Sequence, residues 1–183
     1  DITLDNSIST SDAGVNFRGI HVEGVQSIDK GLVWTGNTSG FHFNNTTLES
    51  NDSYIANLRL VGGGSGLAGD NSAIHMTSDN GHNPQRNTFE HLNIANWSDS
   101  CIGYSGGVGN VTRQNRWTNS NIGMTFRESP TLPGWAGSGQ FSYCNYIASN
   151  NIGINNDLGW CNTSINDVIQ NCDQGIRNNG NSA

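Results

Sequence analysis

The sequence predicts an all-β fold, a right-handed parallel β-helix of about seven coils. Two observations carry this: a four-residue signature that recurs along the whole chain, and a composition of turn residues without helix patterning. The signature is a small residue, an apolar residue, any residue, then an apolar residue. It appears as Gly14-Val15-Asn16-Phe17, Gly40-Phe41-His42-Phe43, Ala73-Ile74-His75-Met76, Cys101-Ile102-Gly103-Tyr104 and Gly123-Met124-Thr125-Phe126. With a polar fourth residue it continues as Gly153-Ile154-Asn155-Asn156 and Gly175-Ile176-Arg177-Asn178. The small residues are spaced by 26, 33, 28, 22, 30 and 22 residues. For the first coil, Gly19-Ile20-His21-Val22 is an alternative anchor.

A second short strand precedes most anchors: Ala56-Asn57-Leu58-Arg59-Leu60, His91-Leu92-Asn93-Ile94, Asn145-Tyr146-Ile147 and Asp167-Val168-Ile169. Both strand types alternate with period two, and no segment holds a 3.6-residue apolar period over three turns, so helix content is expected near nil. A unit this short cannot bury its own apolar face and must stack on its neighbours. Stacked parallel strands lie about 4.8 Å apart with alternate side chains inward. Ile74, Ile102, Met124, Ile154 and Ile176 should therefore form one inward file. The extra residues of the longer coils fall at 44–53, 78–86, 105–114 and 128–142, after anchor strands, and in a Gly-rich stretch at 62–71. Pro84, Pro130 and Pro133 all lie in such insertions, as parallel pairing demands.

Composition agrees. The 183 residues are 33% hydrophobic and only 13% charged, with 28 Asn, 24 Gly and one lysine, Lys30. Asn and Gly tolerate the left-handed backbone of tight corners, and Asn can form ladders when turns stack. One domain over residues 1–183 is expected. The net charge of −7 and the scattered arginines argue against nucleic-acid binding. No run of 18 apolar residues is present, so membrane insertion is not expected. Cys101, Cys144, Cys161 and Cys172 lack metal-type spacing and read as buried free thiols, with two disulfides as the alternative. No metal and no cofactor is expected.

Parity sets the outward columns beside the anchors. One is His42, His75, Gly103, Thr125, Asn155 and Arg177; the next is Asn44, Thr77, Ser105, Arg127, Asp157 and Asn179. Arg127 and Asp157 are thereby expected as an ion pair between adjacent coils. Asp79, Glu128 and Asp157 follow anchor strands where insertions leave, and are the candidates for acid and base chemistry. One coil step is about 4.8 Å and two are about 9.6 Å, which bracket the carboxylate separations of retaining and inverting glycosidases. Glu90 and Asp99 are weaker candidates, because Glu90 shares parity with Leu92 and Ile94 and is expected to face the core. Trp135, in an insertion with little core around it, and Trp160 are candidate sugar platforms, with Arg127 and His75 as hydrogen-bonding partners. Trp117 has core parity.

The block Gly31-Leu32-Val33-Trp34-Thr35-Gly36-Asn37-Thr38-Ser39-Gly40-Phe41, followed by Tyr54-Ile55-Ala56-Asn57-Leu58-Arg59-Leu60, resembles the opening coils of bacteriophage tailspike depolymerases, within the pectate-lyase-like β-helix superfamily. The stretch Asn171 to Ile176 resembles the ordinary coils of that superfamily. The shared motifs are architectural and not catalytic. The resemblance implies a homotrimer on a virion tail that binds and depolymerises a bacterial surface polysaccharide, capsule or O-antigen, by hydrolysis. The alternatives are a glycan-binding or structural β-helix that does not cut, and a secreted polysaccharide lyase. The family's entry segment, capping helix and trimerisation tail have no counterpart here, so a fragment of a longer chain is expected.

Overall fold

The computed structural model describes residues 2–4, 8–9, 21–24, 31–36, 38–45, 51–64, 71–78, 83–129, 132, 134, 136–159 and 161–179; side chains at 2–4, 8–9 and 44–45 are not described. Every strand belongs to one of three parallel sheets. The first stacks Ile2–Leu4, Gly31–Trp34, Arg59–Val61, Asn93–Ala95, Arg116–Thr118, Tyr146–Ala148 and Val168–Gln170. The second stacks Ile8–Ser9, Phe41–Asn45, Ile74–Ser78, Ser100–Ser105, Ile122–Phe126, Ile152–Asn156 and Gln174–Asn178. The third stacks His21–Glu23, Tyr54–Ala56, Thr88–Glu90, Val111–Arg113, Phe141–Tyr143 and Thr163–Ile165. Each strand pairs with the third strand after it, so the chain visits the three sheets in turn. That order is consistent with a parallel β-helix, and each round is called a coil below. Among the described residues there is no helix, and hence none long and apolar enough to cross a membrane.

The expected inward file is present. Phe41, Ile74, Ile102, Met124, Ile154 and Ile176 are successive register partners. The first anchor needs correction: the partner of Phe41 is Ile8, 33 residues earlier, not Val15. Gly14–Phe17 lies outside the described residues, and the alternative at His21 and Val22 belongs to the third sheet, paired with Tyr54 and Ile55. The small residue of the signature has a steric cause. A Cβ on Gly123 would come within 2.5 Å of both Gly153 O and Ile147 Cγ2, and one on Gly153 within 2.5 Å of Gly175 O.

The third sheet is absent from the sequence reading. What reads as one strand over Ala56–Leu60 is two, broken at Asn57, whose φ is +55°. The same break recurs at His91, Gln114, Cys144 and Asn166, all with φ between 51° and 55°. A left-handed residue turns the chain there, and the strain is least for Asn. Immediately after the corners run ladders of buried side-chain acceptors. Asn87, Asn110, Gln140 and Asn162 each accept the backbone N–H of the preceding coil, from Ser53, Asn87, Asn110 and Gln140, at 2.9–3.0 Å. Asn115, Asn145 and Asp167 do so for Leu92, Asn115 and Asn145. Ser120 and Asn150 do so for Trp97 and Ser120. The ladder positions keep a fixed step of five, as in Asn110, Asn115 and Ser120 and again in Gln140, Asn145 and Asn150.

Aromatic side chains are packed inside from Trp34 to Phe126, and beyond them the interior is aliphatic, with Ile147 and Ile154. Trp34 meets Phe41 edge-on at 5.8 Å and tilts against Trp97 at 5.5 Å. Trp117 is fully buried, as its parity requires. The cysteines only partly follow expectation. Cys101 is buried, and burial pushes its thiol up to about 12. Cys144 and Cys161 are exposed because they occupy corners, with φ of +51° and +52°. All four are free thiols.

Candidate functional site

The outer face of the second sheet gathers most of the described candidates. The columns expected from parity hold: His42, His75, Gly103, Thr125, Asn155 and Arg177 are register partners in sequence. The imidazoles of His42 and His75 stack with centroids 4.9 Å apart. Their Nε2 atoms lie 3.1 Å from Thr77 Oγ1 and 3.3 Å from Ser105 Oγ. Burial lowers the pKa of His42 from its ordinary value. The space a side chain would take at Gly103 is filled, since a Cβ there would meet Ser72 Oγ at 2.8 Å and Ser100 Oγ at 3.2 Å.

Arg127 does not pair with Asp157. Its Nη2 donates to Asp99 Oδ1 at 2.7 Å, and Asp99 Oδ2 accepts from Ser72 Oγ at 3.0 Å and Ser100 Oγ at 3.1 Å. Asp99 is the better partner because it is nearly buried, and three donors satisfy it there. Asp157 is held elsewhere: its two oxygens accept from Asn155 Nδ2 at 2.8 Å and Asn179 Nδ2 at 3.0 Å. Asn155 also donates to Thr125 Oγ1 and accepts from Arg177 Nε at 2.7 Å. Asp99 carries little sequence signal, because it precedes the alternating stretch and parity does not aim it. The only hint is the run Ser98-Asp99-Ser100.

Glu128 follows Arg127 and is exposed; its Oε1 accepts the backbone N–H of Gly134 at 2.6 Å. The next residue, Ser129, is buried and donates to Ser78 O, two coils back, at 2.8 Å. The insertion is thus tied down at its start, and at its end Gly137 O accepts from Asn162 Nδ2. The backbone N–H of Asp157 donates to Phe126 O, so Glu128 and Asp157 stand on neighbouring coils. His75 is two coils before Arg127. Asp79, Trp135 and Trp160 lie outside the described residues.

Glu90 reverses its expected orientation. Phe89 is the inward residue of that strand, and Glu90 lies on the outer face of the third sheet between Tyr54 and Arg113. The intervening corner at His91 breaks the parity shared with Leu92 and Ile94. Burial raises the Glu90 pKa, but the hydrogen bonds from Tyr54 and Arg113 and the Arg113 charge outweigh it, and the net shift is downward. The Tyr54 phenol is pushed up to about 12, first by its hydrogen bond to Glu90. A cavity of about 160 Å³ lies inside the last coils, against Met124, Ile154 and Ile176, away from both faces. Among the described residues no three His, Cys, Asp or Glu side chains are grouped to hold a metal.

No family model matches the chain, and neither the curated proteins nor the solved structures contain a match to it. Thr77, Ser105, Thr125 and Asn155 are buried within the second-sheet face, so the polar groups that reach its surface are those of His75, Arg127, Glu128 and Asp157.

Proposed function

We propose that this chain is a right-handed parallel β-helix of tailspike type that binds a bacterial surface polysaccharide and cleaves it by glycosidic hydrolysis. The handedness follows from the general rule for parallel crossovers. The observation that supports the activity best is the proximity of Arg127, Glu128 and Asp157 on two neighbouring coils, at the mouth of a pinned insertion. In this reading the polysaccharide lies across the second sheet, with His75 bonding hydroxyls and Arg127 fixing the face through Asp99. Glu128 acts as the general acid, giving a proton to the glycosidic oxygen as the C–O bond breaks. Asp157 takes a proton from the water that attacks the anomeric carbon. Trp135 and Trp160 are proposed as sugar platforms and Asp79 as a further carboxylate. Assembly as a homotrimer on a virion tail, or secretion, completes the proposal.

Binding without cleavage is the second reading. It is favoured by the fact that both carboxylates already accept hydrogen bonds from their own chain. Reducing-end release from capsular and O-antigen polysaccharides separates the two. Glu128→Gln and Asp157→Asn should each lower turnover by about two orders of magnitude or more while binding persists. Parent rates in both variants would move hydrolysis away from this pair.

A further inference from the structure

We infer that the corner between the third and first sheets is a second saccharide site, one that takes a sugar bearing a carboxylate. It rests on the glycan-binding reading above, but lies on a different wall and specifies the sugar. Arg113 ends a third-sheet strand and Arg116 begins the next first-sheet strand, on either side of the left-handed corner at Gln114. Each faces a tyrosine one coil on: Arg113 is in register with Tyr143, and Arg116 with Tyr146.

Arg116 is exposed, with its guanidinium 5.4 Å from the centre of the Tyr146 ring. Among the described residues no carboxylate pairs with it. Stacking on a ring leaves the edge of a guanidinium, with its donors, directed away from the ring. Arg113 binds Glu90 through Nε, and half of its side chain is exposed. By contrast Arg86 is held by Asp52, Arg127 by Asp99, and Arg177 donates to Asn155. In a chain of net charge −7, this corner brings two half-exposed or exposed arginines beside aromatic rings, as seen among the described residues.

The aromatic part is Phe141 and Tyr143, which point outward from one strand with rings nearly parallel and centroids 6.1 Å apart. Phe141 is 38% exposed, the one ring among the exposed large hydrophobic residues described. Aromatic faces accept the C–H face of a pyranose, while a planar guanidinium matches a carboxylate in a two-point fork. A uronic-acid unit has both features on one ring. A neutral hexose would use the platform and leave Arg116 unanswered.

Calorimetry on the 183-residue chain tests this with galacturonate, glucuronate and mannuronate oligomers, the same oligomers with carboxyls reduced to alcohols, and a sulfated dextran fragment. At least one uronate should bind about tenfold or more tighter than its reduced form, and its affinity should fall as salt rises. Arg116→Gln should remove that preference, Arg113→Lys should weaken it by losing the fork, and Phe141→Ala should weaken acid and neutral oligomers alike. Arg86→Gln, at an exposed arginine held by Asp52, should leave uronate affinity unchanged. The inference is overturned if no uronate binds, if reduced oligomers bind equally, if sulfated dextran binds as tightly as the best uronate, or if Arg116→Gln keeps the preference. Because Glu128→Gln and Asp157→Asn report cleavage on the other wall, loss of turnover there with uronate binding intact distinguishes the two proposals.

Discussion

The backbone N–H of Asn115 donates to the side-chain oxygen of Asn145 at 2.9 Å, one coil further along the stack. Asn145 in turn gives its Nδ2 to Thr112 O at 3.2 Å and Ser142 Oγ at 2.9 Å, so one amide closes a corner that water does not reach. Asn145→Ala strands the Asn115 N–H and takes a second donor from the Thr112 carbonyl. A buried unsatisfied group costs about 1–3 kcal/mol, and a loss of about 2 kcal/mol or more is expected in urea unfolding. Asn145→Asp keeps the acceptor but replaces the donor to Asp167 Oδ1, 3.0 Å away, with a second carboxylate, so at neutral pH its midpoint should fall at least as far as that of Asn145→Ala.

The small-residue file makes a paired prediction. Gly123→Ala forces a methyl against Gly153 O and Ile147, and should destabilise by about 1–3 kcal/mol. Gly175→Ala meets nothing within 4 Å and should be neutral to within about 0.5 kcal/mol. Equal effects in thermal melts would mean that the file does not stack as described.

Thiol chemistry reads the corners directly. Cys144 and Cys161 should react quickly with a thiol-specific reagent in the folded chain, and Cys172 more slowly. Cys101, buried and with its thiol pushed up to about 12, should react only on unfolding. Mass spectrometry of alkylated peptides before and after denaturation measures this order.

The Tyr54–Glu90–Arg113 group sets a pH dependence at both ends. Glu90 stays ionised in the fold below its ordinary pKa of 4.5, whereas the unfolded chain takes up the proton there. Its contribution is therefore lost as pH falls below about 4.5. Tyr54 keeps its proton to about 12 in the fold but only to about 10 unfolded, so its contribution is lost as pH rises through that interval. Urea midpoints across pH should show both limbs, and Glu90→Gln should flatten both.

The second sheet was legible because its longer strands run to five or six residues and carry an unmistakable small-apolar signature. Outward columns followed from parity, and His75, Arg127 and Asp157 share one face as that parity requires. The third sheet was hidden because its strands are three residues long, and one left-handed residue lies between them and the next sheet. Alternation carried back from Leu92 and Ile94 across the left-handed corner at His91 aims Glu90 inward, whereas the corner turns it out. The five-residue ladder step at Asn110, Asn115 and Ser120 was the signal that could have revealed the corner. Asp99 as the partner of Arg127 depends on side-chain reach from outside any alternating stretch, and no spacing encodes it.

The fixed ladder step has a consequence for how such a chain can change. From Asn87 to Trp97, Asn110 to Ser120, Gln140 to Asn150 and Asn162 to Cys172 the passage through two corners always takes ten residues. The passage from the second sheet into the next coil does not: 14 residues separate Phe126 from Gln140, but only 6 separate Tyr104 from Asn110 and Asn156 from Asn162. Lengthening that passage shifts no register, because the ladders on either side restart the count. Differences in coil length can therefore accumulate at the edges of the second sheet, inherited coil by coil, while the stretch that holds the two corners keeps its count.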